Sequence, residues 1–234
     1  MNRIIHPADD RGFADHGWLK AQHSFSFADY YRPDRMSFGL LRVLNDDEIA
    51  PGMGFGSHPH NNMEIVTVPL HGALVHRDSM GHEETVSAGE IQAMSAGSGI
   101  THSEYNASDS ETLRLLQLWV LPREQNVTPQ YDQKKFDLGS DVFTTLVSPD
   151  GRSGSLRISQ DAIFSRGVFS AGLEAAYEVQ IPGNGMYLFI ISGRVSIDGE
   201  NLGPRDAVGI TETESVSFVS EAASDILCIE VPMM

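Results

Sequence analysis

Apolar residues in this 234-residue chain come in short runs, none longer than a strand, and turn signals separate them. Residues 64–70 read EIVTVPL, 113–121 read LRLLQLWVL and 186–197 read MYLFIISGRVSI; shorter runs follow at 216–219 and 226–231. Segments of this length, rich in Val, Ile, Leu, Phe and Tyr, suit a pleated strand with one or both faces covered. His71-Gly72, Ala88-Gly89, Asp198-Gly199 and the segment 78–81 (DSMG) break them. No stretch sustains an apolar repeat of ~3.6 residues, and the best helix candidate is a short one at 27–31. The expected fold class is therefore all-β, built as antiparallel barrels or sandwiches rather than βαβ units.

The two halves repeat one outline. In the first, a strand meets His71-Gly72, continues through 73–77 and reaches VSAGE at 86–90; in the second, 188–192 meet Gly193, continue through 194–198 and reach LGPRDA at 202–207. The stretch 122–140 between them is polar and carries Pro129, Lys134, Lys135 and Gly139. It reads as a linker, giving expected units at 1–125 and 141–234 joined by 126–140. All nine histidines lie between His6 and His102, so any imidazole chemistry belongs to the first unit.

Charge and cysteine usage exclude several function classes. Lys plus Arg number 16 against 32 Asp plus Glu, a net charge of −16. Such a surface repels phosphate backbones and anionic lipid, so neither direct nucleic-acid binding nor membrane association is expected. The single Cys228 rules out an internal disulfide framework and Cys-rich metal sites, and it reads as a small buried apolar residue. No run of ~18 apolar residues and no apolar leader segment is visible. The expected location is cytoplasmic.

The chemistry concentrates in residues 51–64 (PGMGFGSHPHNNME) and 97–106 (GSGITHSEYN). His58 and His60 stand two apart, as do His102 and Glu104. Positions i and i+2 of a strand share a face, so two neighbouring strands can converge three imidazoles and a carboxylate. Glu64 has the parity of His58 and His60 and competes with Glu104 as the carboxylate. Such nitrogen and oxygen ligands suit a divalent transition ion, with about two positions left open on a metal that prefers six. Gly52 and Gly99 supply tight turns beside the pairs. Trp18, Phe25 and Phe27 read as packing residues, His16 and His23 as hydrogen-bonded structural histidines. Gln117 and Trp119 face opposite to Leu116 and Leu118, toward the cavity or the core.

These residues resemble the two cupin motifs: Gly52, His58, His60 and Glu64 follow the first, Gly99, His102 and Asn106 the end of the second. The closing glycine of the first motif comes one residue late, at Gly72, and Gly97 stands where the second has proline. The segments 16–31 (HGWLKAQHSFSFADYY), 41–47 (LRVLNDD), 54–67 (GFGSHPHNNMEIVT), 77–81 (RDSMG), 94–106 (MSAGSGITHSEYN), 116–120 (LQLWV) and 148–162 (SPDGRSGSLRISQDA) together resemble the pirin family.

That resemblance implies a bicupin: an N-terminal metal-binding barrel and a degenerate C-terminal barrel without a metal site. It implies metal ligands His58, His60, His102 and Glu104, with Glu64 beside an imidazole and Glu104 doubling as catalytic base. The implied cofactor is one divalent transition metal, Fe(II) first, with Mn, Ni, Co, Cu or Zn compatible. The implied activity is that of a quercetin 2,3-dioxygenase, cleaving a flavonol or related aromatic enediol with O2. The alternative is a metal-binding regulatory or protein-interaction module without turnover, for which a protein partner is compatible. A monomer is expected.

Overall fold

The computed structural model describes residues 1–234. It contains twenty β-strands, two short 3-10 turns and no α-helix. No helix is long and apolar enough to cross a membrane. The strands form two antiparallel cupin barrels.

The N-terminal barrel has two sheets. One has seven strands, in the spatial order Gln130–Lys135, Glu90–Ser95, Glu64–His71, Leu113–Val120, Leu41–Ile49, Leu19–His23 and Gly12–Asp15. The other has four, in the order Gly54–His60, Ile100–Asn106, Ala73–Asp78 and Glu83–Ser87. The C-terminal barrel is a nine-stranded sheet centred on the long strands Asn184–Ile197 and Ser215–Pro232.

The two units exchange chain at their ends. The first strand, Asn2–His6, pairs with Ala207–Thr211 of the C-terminal sheet. The segment expected as a linker contributes Gln130–Lys135, which pairs with Glu90–Ser95 along its whole length. Its polar, half-exposed character is that of an edge strand. The expected helix at 27–31 is instead a tight turn closed by reciprocal backbone bonds between Phe27 and Tyr30, with Ala28 at φ 49°.

Strand alternation divides the core. Leu44, Val66, Leu116 and Leu118 project from the seven-stranded sheet into a 24-residue apolar cluster shared with Phe164, Tyr187, Phe189 and Leu227 of the second barrel. Burial of apolar surface on this scale holds the barrels together. Asp46 adds a polar tie, accepting from Arg11 at 3.1 Å and from Arg205 of the second barrel at 2.9 Å. The C-terminal barrel is filled by 14 buried residues, Phe169, Tyr177 and Phe218 among them, and its only histidine is His6, on the strand that the N-terminus contributes. The N-terminal interior holds only clusters of seven and four apolar residues. Polar side chains occupy the space between these two clusters.

Candidate metal centre

Two strands of the four-stranded sheet place the imidazoles. His102 is paired directly with His58, and Ile100 with His60. The register shifts between His102 and Glu104, where Gly54–His60 carries one extra residue. A bulge of this kind re-aims the side chains around it. Gly54 permits the approach: a Cβ there would collide with the Glu104 carbonyl oxygen and Tyr105 Cα. Asn106 anchors the far end, donating to the carbonyls of Ile49 at 3.0 Å and Glu111 at 2.7 Å.

The ligand atoms of His58, His60 and His102 lie within 4.8 Å of one another. Those of His76, His102 and Glu104 form a second group within the same limit, so His102 belongs to both. The ring centroids of His58 and His102 are 4.5 Å apart. His58 Nδ1 is 2.7 Å from the Gly56 carbonyl, which assigns the proton to Nδ1 and leaves the Nε2 lone pair free. His102 Nε2 is buried without a hydrogen-bond partner. Burial and the nearby His58, His60 and His76 rings push His102 down to about 3; burial and His58 push His60 down to about 4. His60 and His102 are therefore neutral across the physiological range, the form that binds a cation.

Glu104 is 2% exposed and held by Gln117 Nε2 at 2.8 Å and Gln92 Nε2 at 3.3 Å. Thr67 in turn donates to Gln117 Oε1 at 2.9 Å. Burial pushes Glu104 up to about 7 against these hydrogen bonds. With three imidazoles, an unpaired buried ring nitrogen and an adjacent carboxylate, the residues present fit a divalent transition ion.

Glu64 lies elsewhere. Asn61–Met63 leave the strand, Asn62 sits at φ 49°, and Glu64 begins a strand of the other sheet. The parity shared with His58 and His60 is lost across this break. Glu64 instead faces the second barrel: Ser95 Oγ, from the neighbouring strand of its own sheet, and, at 3.0 Å, the Ser159 N–H of the second barrel donate to its Oε2. It does not orient an imidazole.

His58, His60, His102 and Glu104 line a cavity of about 200 Å³, with His58 and His60 half-exposed and His102 and Glu104 buried. Gln117 and Trp119 both line it, while Leu116 and Leu118 face the core. Phe27 lines it as well, edge-on to Trp119 at 5.5 Å. Phe25 is core, and Trp18 packs on Phe55 at 5.2 Å. His23 lines the cavity with Nδ1 2.8 Å from Asn45 Oδ1, whereas His16 is exposed at the surface. Cys228 is fully buried.

Two groups were not read from the sequence. One is a chain behind His102: His76 Nδ1 lies 3.4 Å from His102 Nδ1, and Asp78 Oδ2 lies 3.3 Å from His76 Nε2 and 2.8 Å from His82 Nδ1. Tyr131 stacks on His76 at 4.4 Å. The His-x-Asp spacing at 76–78 is the signal that marks it. The other is Asp47, 3% exposed in the cavity wall, with Oδ1 unpartnered. Burial, with the Asp46 and Glu104 carboxylates, pushes it up to about 8.

Comparison with known proteins agrees with this geometry. Residues 6–120 match the Pirin family and residues 145–231 the quercetinase C-terminal cupin domain. The chain is 42% identical over 228 residues to a protein of Escherichia coli K12 named quercetin 2,3-dioxygenase, covering 97% of this chain and 98% of that one. It is 40% identical to a pirin-like protein of Caulobacter vibrioides, covering 96% and 97%. A crystal structure of the E. coli bacterial pirin YhhW in complex with nickel(II) superposes with a TM-score of 0.95 at 39% identity, covering 100% of both chains. This chain is thus a member of the pirin family, a bicupin with a quercetinase-type C-terminal domain.

Proposed function

We propose that the protein is a metal-dependent dioxygenase that cleaves a flavonol, or a related aromatic enediol, with O2. The carrying observation is the convergence of three imidazoles, one with an unpaired buried nitrogen, beside a buried carboxylate in a part-apolar cavity. The quercetin 2,3-dioxygenase name of the E. coli relative supports the substrate class. His58, His60, His102 and Glu104 would hold one divalent transition ion, with Fe(II) the first candidate. Once bound, the ion supplies Lewis acidity toward the substrate oxygens and a redox path to dioxygen.

The chain's own groups account for the remaining tasks. Glu104 receives the proton of the substrate hydroxyl at its carboxylate, a transfer suited to a group pushed up to about 7. Gln92 and Gln117 fix the carboxylate while it does so. Phe27, Phe55, Ile65 and Trp119 bound the cavity with apolar surface that excludes water. At about 200 Å³ the inner space is smaller than the ~300–1,000 Å³ of sites that enclose a drug-sized ligand. It accepts part of a flavonol, and the mouth holds the rest.

The test is to incubate purified, iron-loaded protein with quercetin in air and follow the flavonol absorbance. Metal-dependent loss of the absorbance is expected. No turnover with Fe, Mn, Ni, Co or Cu would overturn the dioxygenase reading.

A further inference from the structure

Asp47 has no structural task. Its neighbour Asp46 points outward to Arg11 and Arg205 and ties the barrels, but Asp47 points inward and its Oδ1 meets no donor. Buried polar groups in folded proteins are almost always partnered, and an exception calls for a cause. Across the sheet Asp47 stands between Ala21 and Leu115, neither of which offers a side-chain hydrogen bond. No side-chain cation pairs with it, and the charges that act on it are the carboxylates of Asp46 and Glu104. The cavity is the remaining source of a partner.

The register sets how far this group stands from the metal centre. Asn45 is paired with Gln117, the residue that holds Glu104, and Asp47 lies two residues further along the same strand and face. Two residues of strand span roughly 7 Å, about the width of one aromatic ring. A planar ligand with its reacting oxygens at the imidazoles and Glu104 therefore brings a second, ring-borne oxygen to Asp47.

We propose that Asp47 is a substrate-binding, specificity-determining residue that hydrogen-bonds a phenolic hydroxyl lying outside the hydroxyl–carbonyl pair presented to the metal centre. This rests on the flavonol reading above and deepens it: the preferred substrates are polyhydroxylated rather than bare flavonols. Burial keeps Asp47 protonated near neutral pH, so it offers both a donor and an acceptor to the phenol.

The test is anaerobic binding of two probes, quercetin and 3-hydroxyflavone, to metal-loaded wild type, Asp47→Asn and Asp47→Leu, with metal content and ligand-free Tm measured alongside. The wild type is expected to favour quercetin. Asp47→Leu should weaken quercetin by about tenfold, the worth of one hydrogen bond, and leave 3-hydroxyflavone within about twofold. Asp47→Asn, which keeps a donor and an acceptor, should retain most of the quercetin affinity. Relieved of an unpartnered carboxyl, ligand-free Asp47→Leu should gain about 2–4 °C in Tm at unchanged metal content. Equal loss for both probes, no loss for either, or a fall in Tm would overturn the role of Asp47 while leaving flavonol binding standing. A metal-loaded wild type that binds neither probe would overturn this inference and the flavonol reading together.

Discussion

His76 stands directly behind His102, their Nδ1 atoms 3.4 Å apart. One tautomer chain satisfies every contact in the row. His82 Nδ1–H and His76 Nε2–H donate to Asp78 Oδ2, His102 Nδ1–H donates to His76 Nδ1, and the His102 Nε2 lone pair stays free. Partners of this kind fix the tautomer and the orientation of a ligating ring, and their loss costs about 10–100-fold in metal affinity. His76→Leu is expected to weaken metal binding within that range while His58, His60, His102 and Glu104 remain. Competition titration with a chelator measures it, and wild-type affinity would contradict the arrangement.

The two glutamates separate cleanly. Glu104→Gln removes a charge beside the imidazoles, and metal content after dialysis should fall sharply. Glu64→Gln acts on the face between the barrels, where a neutral amide oxygen still accepts from Ser159 and Ser95. Its metal content should stay at the wild-type level. Elemental analysis of both variants decides, and the reverse order would exchange their roles.

Gly54→Ala places a methyl group against the backbone of Glu104 and Tyr105. Strands Gly54–His60 and Ile100–Asn106 must then part, which misaligns His58 with His102. We expect about 1–3 kcal/mol of destabilisation by urea unfolding, accompanied by loss of metal.

Between about pH 7 and 8 the ligand-free protein should lose stability as pH rises. Unfolded, Asp47 and Glu104 ionise near their ordinary values, about 4. Folded, they hold their protons up to about 8 and about 7. The folded state thus binds more protons in this window, and raising the pH favours unfolding. His6, His23, His60, His76 and His102 are held below their ordinary value in the fold and oppose the trend near pH 6.5, but above about pH 7 the unfolded imidazoles have largely lost their protons too and the opposition fades. Asp47→Leu should flatten the fall in Tm over this interval, and an unchanged slope would contradict the buried acid.

Acid should release the metal, because a proton and a cation compete for the same imidazole nitrogen. Metal content followed from pH 8 to below pH 5 should decline, and a constant value would contradict imidazole coordination.

How far the sequence reaches depends on strand continuity. Within Leu113–Val120, alternation alone sets Gln117 and Trp119 against Leu116 and Leu118, and the cavity indeed takes the first pair and the core the second. The same rule fails between His60 and Glu64, because Asn61–Met63 carry the chain from one sheet to the other. The turn at Phe27–Tyr30 is unread for a related reason: Ala28 at φ 49° closes a loop that no local apolar period describes. His76 and Asp47 are harder still. Asp47 lies within the polar run 45–48 (NDDE) and His76 within 76–78 (HRD), so polarity does not say which side chain enters the cavity, and only cross-strand pairing brings His76 opposite Glu104 and Asp47 opposite Leu115.

The most direct measurement is anomalous diffraction, at the metal absorption edge, from crystals of protein loaded with iron or manganese. A single anomalous peak enclosed by His58, His60, His102 and Glu104 is the predicted result. A loaded crystal with no peak among those four side chains, or with its peak elsewhere in the chain, would contradict the metal centre and the chemistry built on it.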